Sequence, residues 1–162
     1  MTTIAVTSTD VAWDSLQTFG DERNISPTEK VRVLKDARGS LKIIGVSGDS
    51  EHTDALMLWA LAGASIEARP GGLEIEYEVL VIDKNGFTLF SHSNHGVKVS
   101  APFCIGNGGL LARGAIALGE VEKRPVSALN AVKAAAIVDI NTGGEIKSLN
   151  IKDALKRKRK KT

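Results

Sequence analysis

Cysteine is almost missing: Cys104 stands alone among 162 residues. A single cysteine excludes an internal disulfide framework, so packing must hold the fold, and the usage suits a reducing cytoplasm. The plainest reading of Cys104 is a small buried hydrophobe. Aromatic residues are scarce too, at 4%, which leaves Val, Ile, Leu and Ala to build the core. No stretch approaches the roughly twenty apolar residues that a membrane span requires. The start, Met1-Thr2-Thr3-Ile4-Ala5-Val6, lacks the basic beginning and apolar run of a secretory signal. The expected setting is therefore cytoplasmic, with no membrane partner.

Several chemical motifs are missing as well. Residues 106–113 are glycine-rich but lack the Gly-Lys-Ser/Thr ending of a phosphate-binding loop. There is no Gly-x-Ser-x-Gly elbow for a serine hydrolase. His92 and His95 are metal ligands by type, but no Cys, Asp or Glu accompanies them at suitable spacing, so a solvated loop is the better reading. No cofactor or metal is expected.

What is present is a chain 43% hydrophobic with a formal net charge of +2. That suffices for one domain with a sizeable core and not for two. The small net charge hides an asymmetry, because residues 156–161 are all Lys or Arg. Such a block usually stays solvated and disordered. With no aromatics interleaved to stack on bases, a bare tail is the expectation, and docking to nucleic acid or an acidic partner is the alternative. This divides the chain into a domain over 1–151 and a basic tail over 152–162.

Short apolar runs open the domain: Ile4-Ala5-Val6, then Val11-Ala12-Trp13, separated by the polar turn Thr7-Ser8-Thr9-Asp10. Residues 18–29 read as a polar loop. Val31-Arg32-Val33-Leu34 and 41–46 are strand candidates joined across Asp36-Ala37-Arg38-Gly39. Residues 53–66 read as a helix, with Ala55, Leu58, Trp59 and Ala62 on one face and Asp49, Ser50 or Thr53 as its cap. Leu73, Ile75 and Tyr77 alternate with glutamates in a half-buried strand pattern. Val79-Leu80-Val81-Ile82 and Phe87-Thr88-Leu89-Phe90 flank a hairpin turn at Asn85-Gly86. Residues 97–105 are extended, 108–118 and 128–138 are helical, and 146–151 form a last strand. The order implies an α+β fold: two mainly antiparallel sheets packed face to face, with helices outside, in a four-layer α-β-β-α sandwich.

Several of these motifs resemble the proteasome β-subunit and HslV peptidase family, in the family's order over residues 2–151. Thr2-Thr3-Ile4 is similar to the start of mature members. Val11-Ala12-Trp13-Asp14 resembles the strand that ends in a catalytic aspartate. Glu29-Lys30-Val31-Arg32-Val33-Leu34 resembles the stretch with the catalytic lysine. Gly45-Val46-Ser47-Gly48 is similar to the turn whose glycine N–H stabilises the oxyanion. Gly106-Asn107-Gly108-Gly109 resembles a Gly-Ser-Gly turn, and Asp139-Ile140-Asn141-Thr142-Gly143-Gly144 an Asp-x-x-Ser-Gly-Gly segment. This chain departs from the pattern with Asn107 in place of the serine. It also has a shorter segment before Lys30 and a short region over 62–73, where the family's second helix is reduced or lost.

The resemblance implies an N-terminal-nucleophile hydrolase acting through Thr2 once Met1 is removed. A threonine hydroxyl needs a base, and at a chain's first residue its own α-amine, with a pKa of roughly 7.7–8, can serve. Lys30 would lower the effective pKa at Thr2 by its charge, and Asp14 would pair with Lys30. Gly48 would supply the oxyanion N–H. Asp139, Thr142 and Asn107 would form the supporting hydrogen-bond shell. The implied activity is a threonine peptidase cutting proteins or peptides inside a homo-oligomeric ring, hexameric or heptameric and possibly double, fed by an ATP-dependent unfoldase. The Asn107 replacement motivates a rival, a catalytically inactive structural or assembly subunit. An amidase acting on small amides is a related alternative.

Overall fold

The computed structural model describes residues 2–19, 22–25, 29–70, 76–91 and 95–156. Met1, Leu73, Ile75, His92 and the basic residues 157–161 lie outside that set.

Thr3–Val6 (β1) and Asp10–Asp14 (β2) form an antiparallel pair. The turn between them is tied by the Asp10 carboxylate, which accepts from the hydroxyls of Thr7 and Thr9. Leu16–Phe19 (β3) and Glu22–Ile25 (β4) pair as a two-stranded ribbon. This corrects the expectation of a loop over 18–29: backbone pairing makes the ribbon, and the polar composition concealed it. Val31–Lys35 (β5) and Leu41–Gly48 (β6) form the expected hairpin. At its tip the Asp36 carboxylate accepts from the N–H groups of Arg38 and Ser40.

After a 3-10 turn over Ser50–His52, capped by Asp49, Thr53–Leu61 (α1) runs back along the sheet. It ends five residues before the expected 66. Gly63 sits at φ +108°, Ala64 N–H reaches the Trp59 carbonyl and Gly63 N–H the Ala60 carbonyl, a Schellman stop. The buried face is Leu56, Met57, Trp59 and Ala60, whereas Ala55, Leu58 and Ala62 are exposed. Nearly every residue here is apolar, so periodicity carried little information, and the sheet took the face with more buriable volume.

Tyr77–Asp83 (β7) and Gly86–Ser91 (β8) make the second hairpin, and Val97–Val99 (β9) continues the same sheet. Phe103–Gly106 (β10) instead pairs with β1. The single extended segment expected over 97–105 is thus two strands in different sheets. Pro102, which has no N–H to donate, stands between them. Gly109–Val121 (α2), Ala128–Val138 (α3) and Ile146–Asn150 (β11) follow as expected. Ile151–Lys156 (α4) then folds back with Ile151 and Ala154 buried, so helix occupies 152–156, where the composition suggested unstructured tail. Two apolar residues one helical turn apart gave α4 a face to bury.

Strand order is β5-β6-β7-β8-β9 in one antiparallel sheet and β10-β1-β2-β11 in the other. Three cores account for the layering. Ile4, Val6, Val11, Trp13, Ile43 and Leu80 fill the space between the sheets. Ile44, Val46, Leu56, Met57 and Val79 join α1 to the five-stranded sheet. Ala5, Ala12, Ala112, Ala131 and Ala135 let α2 and α3 pack closely on the four-stranded sheet. The result is the expected four-layer α-β-β-α sandwich. Each fully buried Val, Leu or Ile contributes about 1.5–3 kcal/mol, which explains how the chain manages with few aromatics.

Candidate active site

Asp14 ends β2 and is fully buried. Its Oδ1 accepts from Lys30 Nζ at 3.0 Å and from the Thr3 backbone N–H at 2.7 Å. Its Oδ2 accepts from Gly143 N–H at 3.2 Å. Lys30, also buried, precedes β5 and donates to the Leu16 carbonyl at 2.6 Å besides Asp14. Burial pushes the Lys30 ammonium below its ordinary value, and the Asp14 carboxylate opposes the push. A charge pair removed from water needs such further hydrogen bonds to be tolerated.

A second network meets the first at Thr3. Period-two alternation along β1 sends Ile4 and Val6 between the sheets and Ala5 toward α2 and α3. Thr3 shares the helix side. Its Oγ1 accepts from Gly108 N–H at 3.1 Å and lies 2.5 Å from Thr142 Oγ1. Thr142 Oγ1 in turn donates to Asp139 Oδ2 at 2.6 Å. Each hydroxyl has one proton and the carboxylate only accepts, so the chain runs one way, from Gly108 N–H through Thr3 and Thr142 to Asp139. Asp139 is the C-cap of α3, and its Oδ1 holds Asn141 N–H. The segment is clasped further by Gly143, whose carbonyl accepts from the N–H groups of Ser15 and Leu16.

Three glycines permit this closeness. Gly48 ends β6 at φ +144°, and a Cβ there would lie 2.9 Å from the Glu76 carbonyl oxygen. At Gly106, φ +86°, a Cβ would overlap the Thr2 carbonyl, and at Gly108 the hydroxyls of Thr3 and Thr142. Thr2 is buried and immediately precedes β1. Asn107, between the two glycines, is exposed on the turn.

The fold therefore brings Thr2, Asp14, Lys30, Asp139 and Thr142 to one end of the sandwich, with Gly48 at the adjoining end of β6. Thr3, which joins the two networks, and Gly108, which donates to its hydroxyl, were not among the expected site residues. The alternation of β1 was the available signal for Thr3, since neighbours on a strand face opposite ways. Among the described residues no group of three or more His, Cys, Asp or Glu could hold a metal ion. No helix among them is long and apolar enough to cross a membrane. Cys104 is half-buried, and burial pushes its thiol up to about 11, which keeps it protonated and unreactive near neutral pH.

Two antiparallel sheets between helical layers make the proteasome/HslV-type fold. Comparison with solved structures shows the same fold. The chain is similar to Thiobacillus denitrificans BPH in complex with epoxomicin, at 16% identity and a TM-score of 0.68, over 92% of this chain and 96% of that one. It is similar to HslV from Trypanosoma brucei at 17% identity and a TM-score of 0.67, over 92% and 97% of the two chains. It also resembles Anbu, an ancestral β-subunit from Yersinia bercovieri, at 12% identity and a TM-score of 0.60, over 93% and 81%. No protein-family model and no curated protein sequence matches the chain.

Proposed function

We propose that the chain is a threonine-type peptidase that acts through Thr2 after Met1 is removed. The observation that carries this reading is the buried Lys30–Asp14 pair, hydrogen-bonded directly to the backbone of Thr3 beside the candidate nucleophile. Continuing the alternation of β1, the Thr2 side chain falls on the inter-sheet side with Ile4. The freed α-amine takes the Thr2 hydroxyl proton as Oγ attacks the carbonyl carbon of a peptide bond. The proton passes to the leaving amine as the C–N bond breaks, leaving an ester on Oγ. Water, activated by the same amine, then hydrolyses that ester. Lys30 supplies a positive charge near the amine, and Gly48 N–H supports the oxyanion. Asp139 and Thr142 hold the wall of the site through Thr3.

Self-association into a hexameric or heptameric ring belongs to the same proposal. Leu110 at the start of α2 and Ile137, Val138 and Ile140 at and just past the end of α3 are all exposed, and the turn before α2 and the segment after α3 both bond to Thr3. Apolar side chains grouped on a surface favour a protein contact. An ATP-driven unfoldase feeding such a ring and a cytoplasmic setting are the accompanying expectations, and docking to nucleic acid or an acidic partner stays the alternative to a bare solvated basic tail.

Epoxomicin, the compound held by the T. denitrificans protein, provides the test. Intact mass should show Met1 absent and one adduct per chain, lost in Thr2→Ala. Full retention of Met1 on protein from its native host would remove the assignment. A second reading, an inactive structural or assembly subunit, is favoured by exposed Asn107 in the turn where the family resemblance expects serine, and the likeness to Anbu is compatible with it. Native mass spectrometry showing a ring that never takes up epoxomicin would favour that reading.

A further inference from the structure

β10 is an edge strand, and its last residue, Gly106, begins the turn that holds Thr3. An edge N–H needs a partner from outside its sheet. Gly106 finds one across the sandwich: Glu78 Oε2, on β7 of the opposite sheet, accepts from its N–H at 2.9 Å. Alternation along β7 puts Glu78 on the inter-sheet side with Leu80 and Ile82, at the end of the strand where Tyr77 pairs with Gly48. Its register partner is Ser47, buried on β6, whose Oγ also lies against Gly106.

We infer that Glu78 is a positioning residue for the nucleophile, clamping the Gly106-Asn107-Gly108 turn against Thr2 from the opposite sheet. The inference rests on the proposed role of Thr2. Gly106 leaves no room for a Cβ beside the Thr2 carbonyl, and two residues on, Gly108 N–H holds the Thr3 hydroxyl. A shift of this turn would therefore move Thr2 and Thr3 together. A carboxylate acceptor makes the clamp a charge-assisted hydrogen bond, stronger than a neutral one. What matters is reach: an oxygen must span the gap between the sheets.

The test is covalent capture of Thr2 by epoxomicin on the full chain, with kinact and KI measured separately by intact mass. Glu78→Ala should lower kinact about 10- to 100-fold, the scale of a sub-ångström to ångström misplacement, with KI little changed. Glu78→Gln, which keeps an oxygen at the same reach, should rescue most of the loss. Glu78→Asp keeps the charge but falls short, and should behave as Glu78→Ala. Wild-type kinact in Glu78→Ala, or rescue by Asp and not by Gln, would overturn the inference. Should Glu78→Ala not fold, the Gln and Asp variants decide it between them. Hydrogen exchange at the Gly106 amide gives a readout independent of activity: protected in wild type and Glu78→Gln, faster in Glu78→Asp. Unlabelled wild type would reject the role of Thr2, while equal Gly106 exchange in every variant would reject the clamp itself.

Discussion

Thr3 Oγ1 and Thr142 Oγ1 lie 2.5 Å apart although 139 positions separate them in sequence. Through this contact the segment after α3 is fastened to the first strand, so the Asp139 carboxylate acts on the start of the chain through two hydroxyls. Thr3→Val keeps the shape of the side chain and deletes its oxygen, leaving Gly108 N–H and the Thr142 hydroxyl short of a buried partner. It should destabilise the protein by about 1–3 kcal/mol in denaturant unfolding, with Thr3→Ser recovering most of that.

The Lys30–Asp14 pair should show the asymmetry of buried charges. Lys30→Met leaves the Asp14 carboxylate buried with only backbone donors and should cost about 3–5 kcal/mol. Adding Asp14→Asn removes the unpaired charge. The double variant should therefore unfold less readily than the sum of the single changes predicts, by about 0.5–3 kcal/mol in a double-mutant cycle. Strict additivity would mean the two side chains do not act as a pair.

Cys104 gives a pH dependence with a definite sign. Its thiol is pushed up to about 11 in the fold from an ordinary value near 9.0, so above 9 the unfolded chain loses the proton first. The unfolded state then binds fewer protons than the folded one, and stability falls as pH rises from about 9 to about 11. Below 9 the contribution is fully present. Cys104→Ala should flatten this part of the stability profile, and the native thiol should resist alkylation at neutral pH.

Two backbone positions in α2 and its cap can be improved. Gly114 is exposed within the helix, and an added Cβ would meet only open space, so Gly114→Ala should raise stability by about 0.5–1 kcal/mol. Lys123 follows α2 at φ +57°, where Arg124 N–H reaches the Gly119 carbonyl in a Schellman stop. Lys123→Gly should add about 0.5–1 kcal/mol by relieving the left-handed conformation. Thermal unfolding of each variant checks both. Gly106→Ala should do the opposite, because its Cβ would overlap the Thr2 carbonyl.

Much of the architecture was legible because the strands alternate cleanly and punctuation residues mark their ends. The Asp36 to Gly39 and Asn85-Gly86 turns carry local chemistry that does not depend on distant neighbours. The ribbon of β3 and β4 was not legible, since pairing partners leave no trace in a polar segment. Nor was the buried face of α1, where apolar residues on all sides made several faces equivalent until the sheet chose one. Gly63 was visible as a helix stop and would have corrected the end of α1.

By itself the sequence determined most of the elements and their order: alternating strands, two Ala-rich helices and the glycines at 48, 106 and 108, all properties of local residue type and spacing. It also placed Thr2, Asp14, Lys30, Asp139 and Thr142 on segments that the fold then gathers. Only the tertiary structure decided which of them touch. Thr3 became the junction of two networks and Gly108 the donor to its hydroxyl because strand pairing brings β2 and the turn after β10 to β1, and Glu78 became the partner of Gly106 because one sheet closes over the other. Hydrogen bonds of this kind depend on distances of a few ångströms between remote residues, and no local pattern encodes those.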